Sequence, residues 1–245
     1  MKWQDNGIIL SQRPWNDNEI ILNILTQEHG RHAGLVRVSR QKQNLSHTQP
    51  GNLVEVTWNA RLSEHLGRWT LDVGLMPWFQ VFKNPARLLA LSTACALADS
   101  CLPERHPYLS LYMALKDFLY TLVHDQDWPR QYMKFEISLL SELGFGLNLD
   151  FCAVTKTTDN LAFVSPKTGH AVCAEVGKMY EGKLLPLPHF LIQEGKDYTQ
   201  EELAQAFYLT GYFISRNLLE GKALPEIRRR FIDGIVCSER TKVAS

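Results

Sequence analysis

Short apolar runs separated by turn-forming residues dominate the first eighty positions. Ile8-Ile9-Leu10, Ile20 to Leu25 and Leu35 to Val38 read as strands, with the turn formers Pro14 to Asn18 and His29-Gly30 between them. Leu53 to Trp58 predicts a fourth strand. In the fifth, Trp69, Leu71 and Val73 alternate with Thr70, Asp72 and Gly74, the period of two of a strand with one buried face. Five short strands in about eighty residues suit a small closed barrel, and both the OB-fold and an SH3-like barrel meet that count.

After Phe82 the apolar period lengthens to that of a helix. Asn84-Pro85 supplies an N-cap and a first-turn proline, predicting a helix to about Ser100. Pro107 opens a second, with Leu109, Tyr112, Met113, Leu115, Lys116 and Leu119 at helical spacing. Asp127-Trp128-Pro129 opens a third, whose stripe of Tyr132, Phe135, Leu139, Leu140 and Leu143 stops at Gly144. Thr199 with Glu202 three residues on forms a capping box for a helix through Leu203, Phe207 and Phe213 to Gly221. Residues 145–198 lack such periodicity and read as an irregular insert. The expected class is α+β: a five-stranded barrel over residues 1–80, then a mainly helical domain over 81–245.

Composition narrows the possible roles. The 245 residues are 45 % hydrophobic and 21 % charged, which is globular and not disordered. Basic and acidic residues cancel at 26 each, so any nucleic-acid surface must come from local clustering. Met1-Lys2-Trp3-Gln4-Asp5 has no secretory pattern. The most apolar stretch, Leu88 to Ala98, is too short to cross a bilayer. Five cysteines (Cys95, Cys101, Cys152, Cys173, Cys237), an odd number without a signal, point to reduced thiols in the cytoplasm.

One segment has clustered charge. From Arg31 to Val54 there are four cations, Arg31, Arg37, Arg40 and Lys42, and no acidic residue. A polar loop over Ser39 to Asn52 would carry part of this charge away from the barrel, where phosphates bind through counterion release. Trp3, Trp15, Trp58 and Trp69 share the same region and could stack bases. The same residues also fit a solvated face and an aromatic core. Other motifs fail on chemistry. Gly177 to Leu184 has the glycine and lysine spacing of a phosphate loop, but Leu184 stands where a hydroxyl must meet magnesium. Gly144-Phe145-Gly146 begins a dinucleotide pattern that Leu149 breaks. Cys152 and Cys173 lack CxxC partners, since Thr155 and Val176 occupy those places, so no zinc site and no cofactor are expected. No nucleophile elbow, HExxH pair or catalytic triad spacing occurs, so no enzyme is expected.

Several segments together resemble the RecO family. Asp5 to Leu10, Asn18 to Ile21 and Leu25-Thr26-Gln27-Glu28-His29-Gly30-Arg31 are similar to its amino-terminal signature. Leu143 to Cys152 resembles the junction into its zinc-finger-like insert, which Asn160 to Pro166 and Gly169 to Cys173 continue. Leu224-Pro225-Glu226-Ile227-Arg228-Arg229-Arg230-Phe231 resembles its closing segment. The chain departs from the pattern in losing a glycine near Arg37-Val38-Ser39-Arg40 and in keeping only two of the four insert cysteines. The resemblance implies an OB-fold barrel, a helical domain with a degenerate finger-like insert, and recombination mediation in DNA repair. The implied partners are single-stranded DNA, with double-stranded DNA as a second ligand, RecR, the single-strand binding protein and, indirectly, the RecA recombinase. Phosphate contacts are then expected from Arg31, Arg37, Arg40, Lys42, Arg61 and Arg68, with Arg228, Arg229 and Arg230 either a second basic surface or a solvated helix end. A protein-binding adaptor whose barrel never touches DNA is the alternative, in keeping with zero net charge.

Overall fold

Each of the five apolar runs forms a strand: β1 (Lys2–Asn16), β2 (Glu19–Thr26), β3 (Gly30–Arg37), β4 (Leu53–Asn59) and β5 (Gly67–Val73). In the computed structural model, which describes residues 1–37, 46–62, 65–73, 81–180, 182–193 and 195–237, they close into a barrel in the order β1-β2-β3-β5-β4. That order, with a parallel β3–β5 contact closing the wall, is the OB-like arrangement, which the strand count alone left undecided. The interior is filled by alternate residues: Ile20, Leu22 and Ile24 from β2, Val54, Val56 and Trp58 from β4, and Trp69 from β5.

β1 extends further than its apolar run. It pairs with β4 over Lys2 to Ile8 and with β2 over Gly7 to Asn16, bending at an irregularity between Ile9 and Ser11. Pro14 therefore lies within a strand and not in the expected turn. Beyond Ile9, which still bonds to Gly51 and Asn52, the strand pairs with β2 alone among the described residues, and a residue without an N–H is tolerated there. The turn proper is confined to Asp17 and Asn18.

The first compact unit, Met1–Gln131, holds the barrel with α1 (Pro85–Cys101) and α2 (Leu109–His124). Asn84 caps α1 by accepting from the N–H groups of Ala86 and Arg87, as its sequence signature requires. Arg87 is buried, and its guanidinium donates to the backbone oxygens of Leu122 and Asp125, the carbonyls at the end of α2. α2 begins two residues after Pro107, with Tyr108 at the cap position.

The second unit, Tyr132–Ser245, begins inside α3 (Trp128–Glu142). The insert is more ordered than its composition suggests. β6 (Leu161–Val164), β7 (Ala171–Cys173) and β8 (Leu185–Pro186) form a three-stranded sheet in the order β7-β6-β8, with the short α4 (Ala174–Gly177) directly after β7. Strands of two to four residues are too short to show a period, hence the irregular reading. α5 (Gln200–Phe213) starts at the Thr199–Glu202 capping box and runs into a π-helical turn over Ile214–Leu218; α6 (Glu226–Cys237) follows. Tyr132, Phe207 and Phe231 from α3, α5 and α6 meet in the core of this unit.

Arg228 contradicts the expected basic surface. It is 3 % exposed and forks onto Glu136, with Nε to Oε1 at 2.8 Å and Nη2 to Oε2 at 2.9 Å. It also donates to the Phe207 carbonyl, while Tyr132 and Thr210 hydroxyls complete the shell around Glu136. Its partner stands 92 positions away, so a run of three arginines gave no sign of it. Arg229 and Arg230 do lie on the exposed face, where they pair with Glu226, and Arg229 also pairs with Asp233.

Candidate nucleic-acid interface

The end of the barrel carrying the β1–β2 turn gathers cations from several strands. Arg37 is exposed at the last position of β3, opposite Glu19 in register. Arg68, second in β5, pairs with Leu35 of β3 and Asn59 of β4 and is 62 % exposed. Arg61 is exposed two positions after β4, beside Ala60, whose carbonyl accepts the Met1 ammonium at 2.6 Å. Arg13, exposed near the end of β1, belongs to this end too. Sequence reading missed it because it abuts the supposed turn. Arg40 and Lys42 lie outside the described residues; they follow Arg37 along the chain.

Arg31 is not brought to this group. It sits six residues from Arg37 at the other end of β3, about 20 Å away in an extended strand. Its side chain, 14 % exposed, donates to the Leu102 carbonyl at 2.9 Å and pairs with Asp99 at 3.3 Å and Glu104 at 3.6 Å. Two carboxylates already compensate its charge.

The four tryptophans separate by burial. Trp58 and Trp69 are core, their indole N–H groups donating to the carbonyls of Ala33 and Leu22. Trp3 is half-buried and stacked on His29 at 3.9 Å. Trp15 is 58 % exposed on β1. The signal was present in the sequence, since Gln12-Arg13-Pro14-Trp15-Asn16-Asp17-Asn18 gives that ring no apolar neighbours to pack on.

The barrel is electrostatically polar despite the zero net charge. A groove of about 660 Å³ along β1, β4 and β5 is lined by Asp5, Glu55 and Asp72, with Gln4, Asn6 and Thr57, and by no cation among the described residues. Glu55 and Asp72 stand directly opposite each other, a like-charge pair that disfavours an approaching phosphate backbone. The hairpin end carries the opposite sign.

In the insert, Cys152 and Cys173 are buried neighbours: the Cys173 N–H donates to Cys152 Sγ at 3.3 Å, and the Thr155 hydroxyl lies 3.7 Å from Cys173 Sγ. Burial pushes the Cys152 thiol up, but hydrogen bonds from the Thr155 hydroxyl and from nearby backbone N–H groups prevail and bring it down to about 6. Among the described residues no group of three or more His, Cys, Asp or Glu is arranged to hold a metal, and no helix is long and apolar enough to cross a membrane.

Comparison with known proteins places this arrangement in a lineage. The family model described as Recombination protein O N terminal matches residues 1–71, and Recombination protein O C terminal matches residues 83–224. The chain belongs to the RecO family. DNA repair protein RecO of Rhodospirillum centenum is 42 % identical over 240 residues, covering 95 % of this chain and 94 % of that protein. DNA repair protein RecO of Rhizobium rhizogenes is 41 % identical over 231 residues, covering 91 % and 86 %. That of Rhodospirillum rubrum is 37 % identical over 241 residues, covering 95 % and 96 %. The RecO amino-terminal match spans the barrel through Leu71, so Arg13, Trp15, Arg37, Arg61 and Arg68 all fall on RecO-family sequence.

Proposed function

We propose that this chain is a recombination mediator in DNA repair, which binds single-stranded DNA at the hairpin end of its barrel and promotes annealing. The observation that carries the reading is that Arg37, Arg61 and Arg68 are exposed cations of a barrel whose β1 also exposes Trp15, in a member of a family whose relatives are named DNA repair proteins. No bond-making chemistry is required. Cations lower the repulsion between two phosphate backbones, and stacking on an aromatic face leaves base edges free to pair. Arg40 and Lys42, which follow Arg37 in the sequence, are further phosphate contacts in this reading, and double-stranded DNA is a second ligand. The protein acts in the bacterial cytoplasm with RecR and the single-strand binding protein, and through them assists loading of the RecA recombinase at gaps. In this reading residues 81–245 receive the partner proteins, including the acidic, apolar-tipped tail of the single-strand binding protein.

The test is fluorescence anisotropy of labelled oligonucleotides across a salt series. Changing Arg37, Arg40 and Lys42 together to Ala weakens binding to a similar degree for all base sequences, because phosphate contacts carry no base information. The slope of log affinity against log salt becomes shallower by about 0.7 for each phosphate no longer neutralised. Trp15→Ala removes about 1–3 kcal/mol of stacking and leaves the slope unchanged. A folded triple variant that keeps both affinity and slope sinks the reading and favours the adaptor.

A further inference from the structure

Several groups at the hairpin end converge on a single carboxylate. Asn16 Nδ2 donates to Glu19 Oε2 at 2.9 Å, and Arg68 Nη1 donates to Glu19 Oε1 at 2.7 Å. Arg37 stands directly opposite Glu19 on the β2–β3 ladder. These groups come from β1, β5 and β3, so the barrel itself sets their spacing. Each is a donor or cation, and a carboxylate and a phosphodiester both offer such a set two anionic oxygens.

We propose that Asn16, Arg37 and Arg68 form a phosphate subsite for single-stranded DNA, and that Glu19 is its built-in occupant, displaced when a strand arrives. This rests on the reading of the hairpin end as the DNA surface. In the free protein, Glu19 holds Arg68 in one place and prevents two neighbouring guanidiniums from repelling each other. A strand must exchange one surface ion pair for another, a nearly balanced step for any single anion. A polyanion tips the exchange, because its many phosphates release counterions together. The subsite therefore favours extended strands over isolated phosphate or carboxylate groups, and Glu19 sets the threshold.

The experiment compares the full-length protein with Glu19→Gln, using labelled oligothymidine across a salt series. Glutamine keeps an oxygen acceptor for Asn16 and Arg68 but not the charge. Asp17→Asn, on the adjacent turn, removes the same unit of charge from a residue outside the subsite. The expected result for E19Q is binding about two- to fivefold tighter at low salt, with the slope unchanged, because the same phosphate is engaged once Glu19 is displaced. D17N leaves the affinity nearly unchanged, and E19Q has no effect in an R68Q background. The proposal is overturned if E19Q binds no tighter than the parent, if D17N matches it in affinity, or if its gain survives R68Q. A parent protein that binds no strand at any salt concentration overturns the functional reading as well, which separates the two failures.

Discussion

His32 is 7 % exposed in the barrel, edge-on to Trp3 and Trp58, and its Nδ1 has no hydrogen-bond partner among the described residues. Burial brings its pKa down to about 4, with the nearby Arg105 pushing the same way, against 6.5 for an ordinary imidazole. The unfolded chain therefore takes up this proton as pH falls through 6.5, and the folded chain only near 4. Stability present above pH 6.5 is lost as pH drops toward 4, by on the order of 1–3 kcal/mol from this one site. Urea melts at pH 7 and pH 4.5 should show this loss in the parent and a smaller one in His32→Phe; equal losses in both would mean His32 is not responsible. At this scale the sequence was a partial guide. Residue type placed Arg37, Arg61 and Arg68 on the surface, where they stand. It could not place Arg31, because the carboxylates that hold it, Asp99 and Glu104, are some seventy residues further along the chain.

Helix starts were legible because caps are local. Asn84 and the Thr199–Glu202 box act within three residues, and each makes the hydrogen bonds its signature predicts. Strand ends and buried polar networks depend on distant partners instead. Only pairing shows that β1 continues through Pro14, and only the fold shows that Arg228 is buried. The Glu136–Arg228 pair ties α6 to α3, with Gly211 of α5 leaving the space: a Cβ there would stand 2.7 Å from Arg228 Nη1. Arg228→Met leaves Glu136 buried with its main counter-charge gone, and should destabilise the protein by about 3–5 kcal/mol. Adding Glu136→Leu should restore a good part of that, since a buried pair replaced by apolar groups is often neutral. Thermal or urea unfolding measures both. A double variant no more stable than the single one would mean that the loss comes from packing and not from an orphaned charge.

For the whole molecule, a net charge of zero conceals a barrel that is acidic along one groove and cationic at one end. The fold class was readable from the change of apolar period near Phe82, whereas the separation of charge was not, because strand order decides which side chains become neighbours. The same strand order leaves the barrel wall uneven. β1 and β2 share an extended ladder, but among the described residues β3 meets β5 through two residue pairs, Gly34–Gly67 and Leu35–Arg68. Glycine is required on both sides there: a Cβ on Gly67 would fall 2.1 Å from Trp58, and one on Gly34 2.6 Å from Trp69. So short a parallel contact is where the cylinder is expected to open first. In hydrogen–deuterium exchange, amides from Gly34 to Val36 and at Gly67 and Arg68 should lose protection well before those of Leu22 to Leu25. Because Arg68 lies on that join, a strand bound there as proposed should act as a clasp across it. Saturating oligothymidine should slow exchange there first, and uniform slowing over all strands would show that the join is not a separate opening unit.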